Sequence, residues 1–311
     1  MSQHPPKARV LFVDDEPRVL TTMRMLFRNQ YDVLTADSGQ AALELLKTQA
    51  VDVIVSDQRM PGMTGIEMLR AARELNPAAM RILLTGYSDL NAIIGSINEG
   101  EIFRFINKPW SNDDLTATVA RAVAAARASA AAAQAGDGSA PIGPPPGVLV
   151  LDDDPQVPAR IQTILGADFR VVAARSMEEA VNLLEKERIG VIISDTRVAD
   201  SPVLGLISTL KQHHPELVSV ILTERADAGT AIELINQGQI YRFITKPIHD
   251  SQCKITVSSA LRQHHRLAQS PELHQRYEVA APKAQPAAAE SPQAKLMDRI
   301  RTLRTVVKRW V

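Results

Sequence analysis

Over its first 110 residues the chain alternates short, nearly continuous apolar runs with stretches whose apolar residues recur at helical spacing. Arg9 to Val13, Asp52 to Ser56, Met80 to Leu84 and Ile102 to Ile106 read as strands buried on both faces, and Asp32 to Thr35 supplies a weaker fifth. Helix starts are marked between them. Thr64-Gly65-Ile66-Glu67 has capping-box spacing, Ser88-Asp89 is a second start, and Ser111 followed by Asp113 and Asp114 is a third. Strands alternating with helices in this order predict five βα units in a doubly wound, flavodoxin-like α/β domain, with a parallel sheet and helices on both faces.

The pattern then repeats. Shifting the chain by 138 positions lays Asp14-Asp15 on Asp152-Asp153, Asp57 on Asp195, Thr85 on Thr223 and Lys108 on Lys246. No gap is needed from Val10 over Val148 to Pro109 over Pro247, and Arg104-Phe105-Ile106 falls on Arg242-Phe243-Ile244. The expected plan is a first domain over 8–130, an Ala/Gly/Pro-rich linker over 131–146 and a second domain over 147–269. An Ala/Pro-rich linker over 270–292 and a basic amphipathic helix over 293–311 complete it.

Composition narrows the classes. Lys and Arg together number 35, as do Asp and Glu, so no whole-molecule field draws the chain to DNA or to an anionic membrane. The single cysteine, Cys253, forms no internal disulfide and fits a reducing, cytoplasmic setting. No apolar run approaches the roughly 20 residues of a membrane span.

In a doubly wound sheet the ligand site lies beyond the carboxyl ends of the strands. Here those ends carry Asp14 and Asp15, Asp57, Thr85 and Lys108, which brings three carboxylates, a hydroxyl and an ammonium to one edge. Carboxylates so placed repel unless a cation lies among them, and a hard, oxygen-seeking ion such as Mg²⁺ suits one or two of them together with water and a phosphoryl oxygen. The cluster predicts a metal and a phosphate together.

The Asp-Asp pair, the lone Asp57, Thr85 and Lys108-Pro109 resemble the signature of two-component response-regulator receiver domains, and the resemblance covers both copies. It implies that Asp57 accepts a phosphoryl group from a sensor histidine kinase or a phosphotransfer protein. It further implies that Asp15 and Asp57 ligate Mg²⁺ directly, that Asp14 acts through a water, and that the backbone carbonyl of Arg59 completes the protein ligands. Thr85 would hydrogen-bond the transferred group and Lys108 neutralise it. Phe105, and Phe243 in the second copy, match the aromatic switch position. Such a chain is a phosphoacceptor that promotes its own transfer and dephosphorylation, not an enzyme in the metabolic sense.

The second copy keeps Asp152, Asp153, Asp195, Thr223 and Lys246 but has Val198-Ala199-Asp200 where the first has Met60-Pro61-Gly62, and Glu224 in place of Gly86. Asp195 is therefore open between a second acceptor and a receiver kept for docking. The alternative for the whole chain is a phosphorylation-independent docking adaptor built of pseudo-receivers. His213-His214 and His264-His265 read as ordinary surface histidines near helix ends, without zinc spacing. In 293–311, six basic residues accompany one acid beside an apolar face, as in a helix that packs back on a receiver or docks on a partner. A single helix cannot make a helix-turn-helix, so no DNA-binding domain is expected. The remaining partners are a downstream protein target and, as the resemblance allows, a second copy of the chain.

Overall fold

The structure is a computed structural model that describes residues 7–86, 102–134, 145–224, 228–238, 240–269 and 299–300. The chain divides into two units, 1–136 and 137–311.

The first unit runs β1 (Arg9–Val13), α1 (Pro17–Phe27), β2 (Asp32–Ala36), α2 (Gly39–Thr48), β3 (Val53–Asp57), α3 (Gly65–Leu75), β4 (Met80–Thr85), β5 (Arg104–Asn107) and α4 (Asn112–Gln134). Its five strands are parallel in the order β2-β1-β3-β4-β5. Every residue of β3 and β4 is buried, as continuous apolar runs require of central strands covered on both faces. One side of the sheet is sealed by Phe12, whose ring stacks on Phe27 of α1 at 5.0 Å, with Val53, Val55, Ile82 and Leu84 alongside and Leu115 and Val119 of α4 above them.

The start signals behave as their chemistry requires. Thr64 Oγ1 accepts from the Glu67 amide at 3.3 Å while Glu67 Oε2 accepts from the Thr64 amide at 2.9 Å, the reciprocal capping box. Ser111 Oγ accepts from the Asp114 amide at 3.0 Å. The helix expected at Ser88-Asp89 lies outside the described residues. Helix α4 continues to Gln134, past residue 130, because alanine carries the lowest helical cost of any residue and nothing in the Ala-rich stretch interrupts it.

The second unit repeats the plan as β6 (Gly147–Leu151), α5 (Gln156–Leu165), β7 (Val171–Ala174), α6 (Met177–Lys186) and β8 (Ile189–Asp195). A small hairpin of β9 (Arg197–Val198) and β10 (Ser201–Pro202) follows, then α7 (Leu204–His213), β11 (Val218–Thr223), α8 (Ala228–Gly238), β12 (Arg242–Thr245) and α9 (Asp250–Gln269). The parallel order, β7-β6-β8-β11-β12, is that of the first unit. The hairpin has no counterpart there. It turns through Ala199 and Asp200, both at positive φ (47° and 57°), as a right-twisted two-residue hairpin demands.

The histidine expectation changes. His214 and His264 are buried, not surface residues. His264 Nδ1 lies 2.8 Å from the Glu216 carbonyl oxygen, and His214 Nδ1 lies 3.5 Å from Glu216 Oε1. Lys211 is buried beside them with its ammonium on the Leu217 carbonyl, and burial pushes its pKa down to about 7 against the opposing pull of Glu216. The first copy has Arg73, Asn76 and Ala126 at the positions of Lys211, His214 and His264, so this polar corner belongs to the second unit alone.

Of the basic tail, Arg299 and Ile300 are described. Arg299 donates to Asn182 Oδ1 at 2.7 Å and to Glu185 Oε2 at 2.8 Å on α6, and Ile300 is buried. At these two residues the tail packs back on the second unit.

Candidate functional site

The strand order of the first unit reverses between β1 and β3, which opens a crevice at their carboxyl ends. Asp14 follows β1, Asp57 ends β3, Thr85 ends β4 and Lys108 follows β5. The Lys108 amide donates to the Thr85 carbonyl at 2.9 Å and the Gln58 amide to the Leu84 carbonyl at 3.0 Å, so ladder bonds fix where the polar side chains emerge.

Lys108 Nζ stands 2.6 Å from Asp57 Oδ1 and 3.5 Å from Asp14 Oδ2. It also lies 5.5 Å from the centre of the Trp110 ring, which steadies a cation without competing for its hydrogen bonds. Burial works against the Lys108 charge, but the hydrogen bond and field of Asp57, with Asp14 behind it, outweigh that and hold its pKa above the ordinary lysine value. Asp14 is in the opposite position. Burial lifts its carboxyl above the usual range despite the Glu16 amide, which donates to Oδ1 at 2.9 Å, and the nearby Lys108.

Asp14 Oδ2 is buried and makes no hydrogen bond of good geometry; its cationic neighbour is the Lys108 ammonium, at the long distance of 3.5 Å. An under-satisfied buried carboxylate oxygen is suited to a cation, and carboxylate oxygens are what Mg²⁺ takes. Among the described residues no three His, Cys, Asp or Glu side chains form a closed cage. An ion here would rely on one or two carboxylates, a carbonyl and water, the habit of Mg²⁺. The residues present fit the ion.

A consequence can be measured without metal. Because burial raises the Asp14 pKa, the folded unit holds that proton more readily than the unfolded chain, and the stabilisation is lost as pH rises through the window above 3.8. Asp14→Asn is expected to raise the stability of the Mg²⁺-free first unit at neutral pH by about 1 kcal/mol and to flatten its dependence on pH between acid and neutral. Urea unfolding at several pH values checks it; a variant less stable than the parent at pH 7 would show that Asp14 carries a structural bond instead.

The other expected residues are placed as follows. Thr85 is buried with Oγ1 donating to the Gly86 carbonyl at 3.2 Å, Asp15 is exposed, and Arg59 sits on the turn after β3. Phe105 and Phe243 are both buried in their strands. One determinant escaped the sequence reading. A Cβ on Gly65 would lie 2.0 Å from the Asp57 carbonyl oxygen, so α3 can approach β3 this closely only without a side chain there.

In the second unit Lys246 Nζ stands 2.6 Å from Asp195 Oδ2 and 3.2 Å from Asp152 Oδ2. Thr223 is buried and Glu224 exposed. The loop after β8 differs: Asp195 Oδ1 accepts from the Thr196 amide at 2.5 Å and from Thr196 Oγ1 at 3.1 Å, and Asp153 Oδ2 accepts from the Ala199 amide of the hairpin at 3.0 Å.

The family model described as the response regulator receiver domain matches residues 10–120 and 148–258, one match on each copy. The hydrogenase transcriptional regulatory protein HoxA of Cupriavidus necator is 45% identical over 119 residues, covering 38% of this chain and 25% of that protein. The DNA-binding transcriptional regulator NtrC of Klebsiella pneumoniae is 34% identical over 112 residues, 36% of this chain and 24% of that protein. Among solved structures, the chemotaxis response regulator CheY4 of Vibrio cholerae is 27% identical with a TM-score of 0.34, over 37% of this chain and 98% of that one. The chain thus spans about a quarter of the length of the curated relatives it matches.

These relatives overturn one expectation, that of no DNA-binding domain. They are transcriptional regulators by name, one of them DNA-binding, and the match reaches only a quarter of each. No helix among the described residues is long and apolar enough to cross a membrane.

Proposed function

The chain belongs to the response regulator receiver domain family, and from that premise we propose that it accepts a phosphoryl group on Asp57 from a phosphohistidine of a sensor kinase or phosphotransfer protein. The observation that carries the reading is the set of Asp57, Lys108 and the under-satisfied Asp14 Oδ2 at one sheet edge. A carboxylate oxygen of Asp57 forms a bond to phosphorus as the phosphorus–nitrogen bond of the donor breaks, and the leaving imidazole takes up a proton. Such a transfer is catalysed mainly by positioning and charge. Lys108, held cationic, balances the charge arriving at Asp57, and the buried Thr85 hydroxyl is a donor within the same crevice. Asp14, Asp15, Asp57 and the Arg59 carbonyl would hold a Mg²⁺ ion, which supplies positive charge to the phosphoryl oxygens. The product adds negative charge beside Thr85, and rotation of Phe105 would carry the change to the surface.

The signal would leave through a downstream protein in the cytoplasm. The test is incubation of the full chain with acetyl phosphate and Mg²⁺, followed by intact-mass measurement after acid quench. Uptake of one phosphoryl group that disappears when a chelator removes the metal is the expected result; uptake unaffected by chelation would refute the proposed site.

A further inference from the structure

The two copies share a strand order and their polar residues but not the state of the carboxylates that would meet a cation. In the first copy Gln58 turns its side chain toward α3, where Oε1 accepts from the Ile66 amide at 3.3 Å, and so leaves Asp57 to Lys108. Pro61 follows on the turn and has no N–H to offer Asp15. In the second copy the residue at the place of Gln58 is Thr196. Its short side chain cannot reach away, and both its amide and its hydroxyl bond Asp195 Oδ1.

Ala199 stands where the first copy has Pro61. Its N–H is present, and the left-handed turn of the hairpin aims it at Asp153 Oδ2, 3.0 Å away. Lys246 holds the other oxygen of Asp195 and reaches Asp152 Oδ2, while Asp152 Oδ1 accepts from the Asp154 amide at 3.0 Å. Asp195 is more exposed than Asp57, 24% of its side chain against 8%, yet both its oxygens are occupied by donors. Asp152 Oδ2 is hydrogen-bonded to its lysine at 3.2 Å, whereas its counterpart Asp14 Oδ2 meets Lys108 only at 3.5 Å, without a hydrogen bond.

We propose that Thr196 and the Ala199 amide latch the acceptor loop of the second copy closed toward divalent cations, and that this loop directs phosphorylation to Asp57 in preference to Asp195. The inference rests on the phosphoacceptor reading above. An ion entering the second copy must displace two donors from Asp195 Oδ1 and one from Asp153; in the first copy the Gln58 amide is spent on the Leu84 carbonyl and Pro61 has no N–H, so neither stands on the matching carboxylates. Thr196 acts through Asp195, so it is a positioning residue.

The test uses the full chain. Calorimetric titration with Mg²⁺ of Asp195→Ala, which leaves the first site, and of Asp57→Ala, which leaves the second, should show the second site binding at least about tenfold more weakly, the scale on which groups that orient metal ligands act. The latch is opened in the Asp57→Ala background by giving the second loop five residues of the first: Thr196→Gln, Val198→Met, Ala199→Pro, Asp200→Gly and Val203→Gly. Mg²⁺ affinity should recover about tenfold, and Asp195, located by peptide mapping, should label correspondingly faster with acetyl phosphate. Thr196→Val, which removes only the hydroxyl, should move both readouts the same way by a smaller factor and remains decisive if circular dichroism shows the graft unfolded. Equal affinity of the two sites, or no gain in either folded variant, would overturn the latch. Failure of Asp57 to label would count against the phosphoacceptor reading instead, and the Mg²⁺ comparison would still decide the latch.

Discussion

Asp57→Asn is expected to cut phosphate uptake by the full chain at least about 100-fold, because an amide oxygen is a poor nucleophile and a weak ligand for a hard cation. The loss should be almost the whole of the signal, not half, since Asp195 lies behind the proposed latch. It should also come without unfolding. Lys108 is partly exposed, with 29% of its side chain accessible, so it can rehydrate when the carboxylate is gone, and stability should stay within about 1 kcal/mol of the parent. Acid-quenched mass measurement, paired with a urea melt, separates the two effects. Uptake that survives in a double variant with Asp195 also replaced would place the acceptor elsewhere and refute the assignment.

The second large effect is structural. Gly65→Ala places a Cβ 2.0 Å from the Asp57 carbonyl oxygen and 2.9 Å from Leu83 Cδ1, and the first of these contacts is with backbone that no rotamer change relieves. Helix α3 or the end of β3 must move, at a cost of about 3 kcal/mol to the first unit and a fall on the order of 10 °C in its melting temperature. Uptake at Asp57 should drop as well, since the displaced segment carries the nucleophile. Thermal unfolding of the first unit measures it; a melting temperature unchanged within about 2 °C would mean that the close approach has no energetic weight.

Much of this site was legible because it depends on strand ends. Apolar runs mark where β1, β3, β4 and β5 stop, and the parallel order then forces Asp14, Asp57, Thr85 and Lys108 together. The capping box at Thr64 was readable for a similar reason, as its chemistry is local. The hairpin at Ala199-Asp200 was not. Hairpin signals rest on glycine or asparagine at positive φ, and this turn holds alanine and aspartate there, bonded to Asp153, a residue far away in sequence. His214 and His264 were misread as surface residues because helix-end position carries no information about Glu216, which meets both from the loop before β11. Gly65 shows its meaning only once the distance to the Asp57 carbonyl is known, and the resemblance between copies conceals that Val203 stands in its place.

That substitution reaches beyond the acceptor itself. With glycine at the helix start, the first copy brings α3 against its acceptor strand and presents a low turn through Gly62, at φ +79°; with valine there, the second copy carries a hairpin at the same place in the fold. On the phosphoacceptor reading, a protein offering a phosphohistidine would seat its own surface over this rim, and one shaped to the low turn would meet a different outline on the other copy. Duplication has in this way made two addresses from one template. On that reading a donor is told apart at the doorstep, before any chemistry begins.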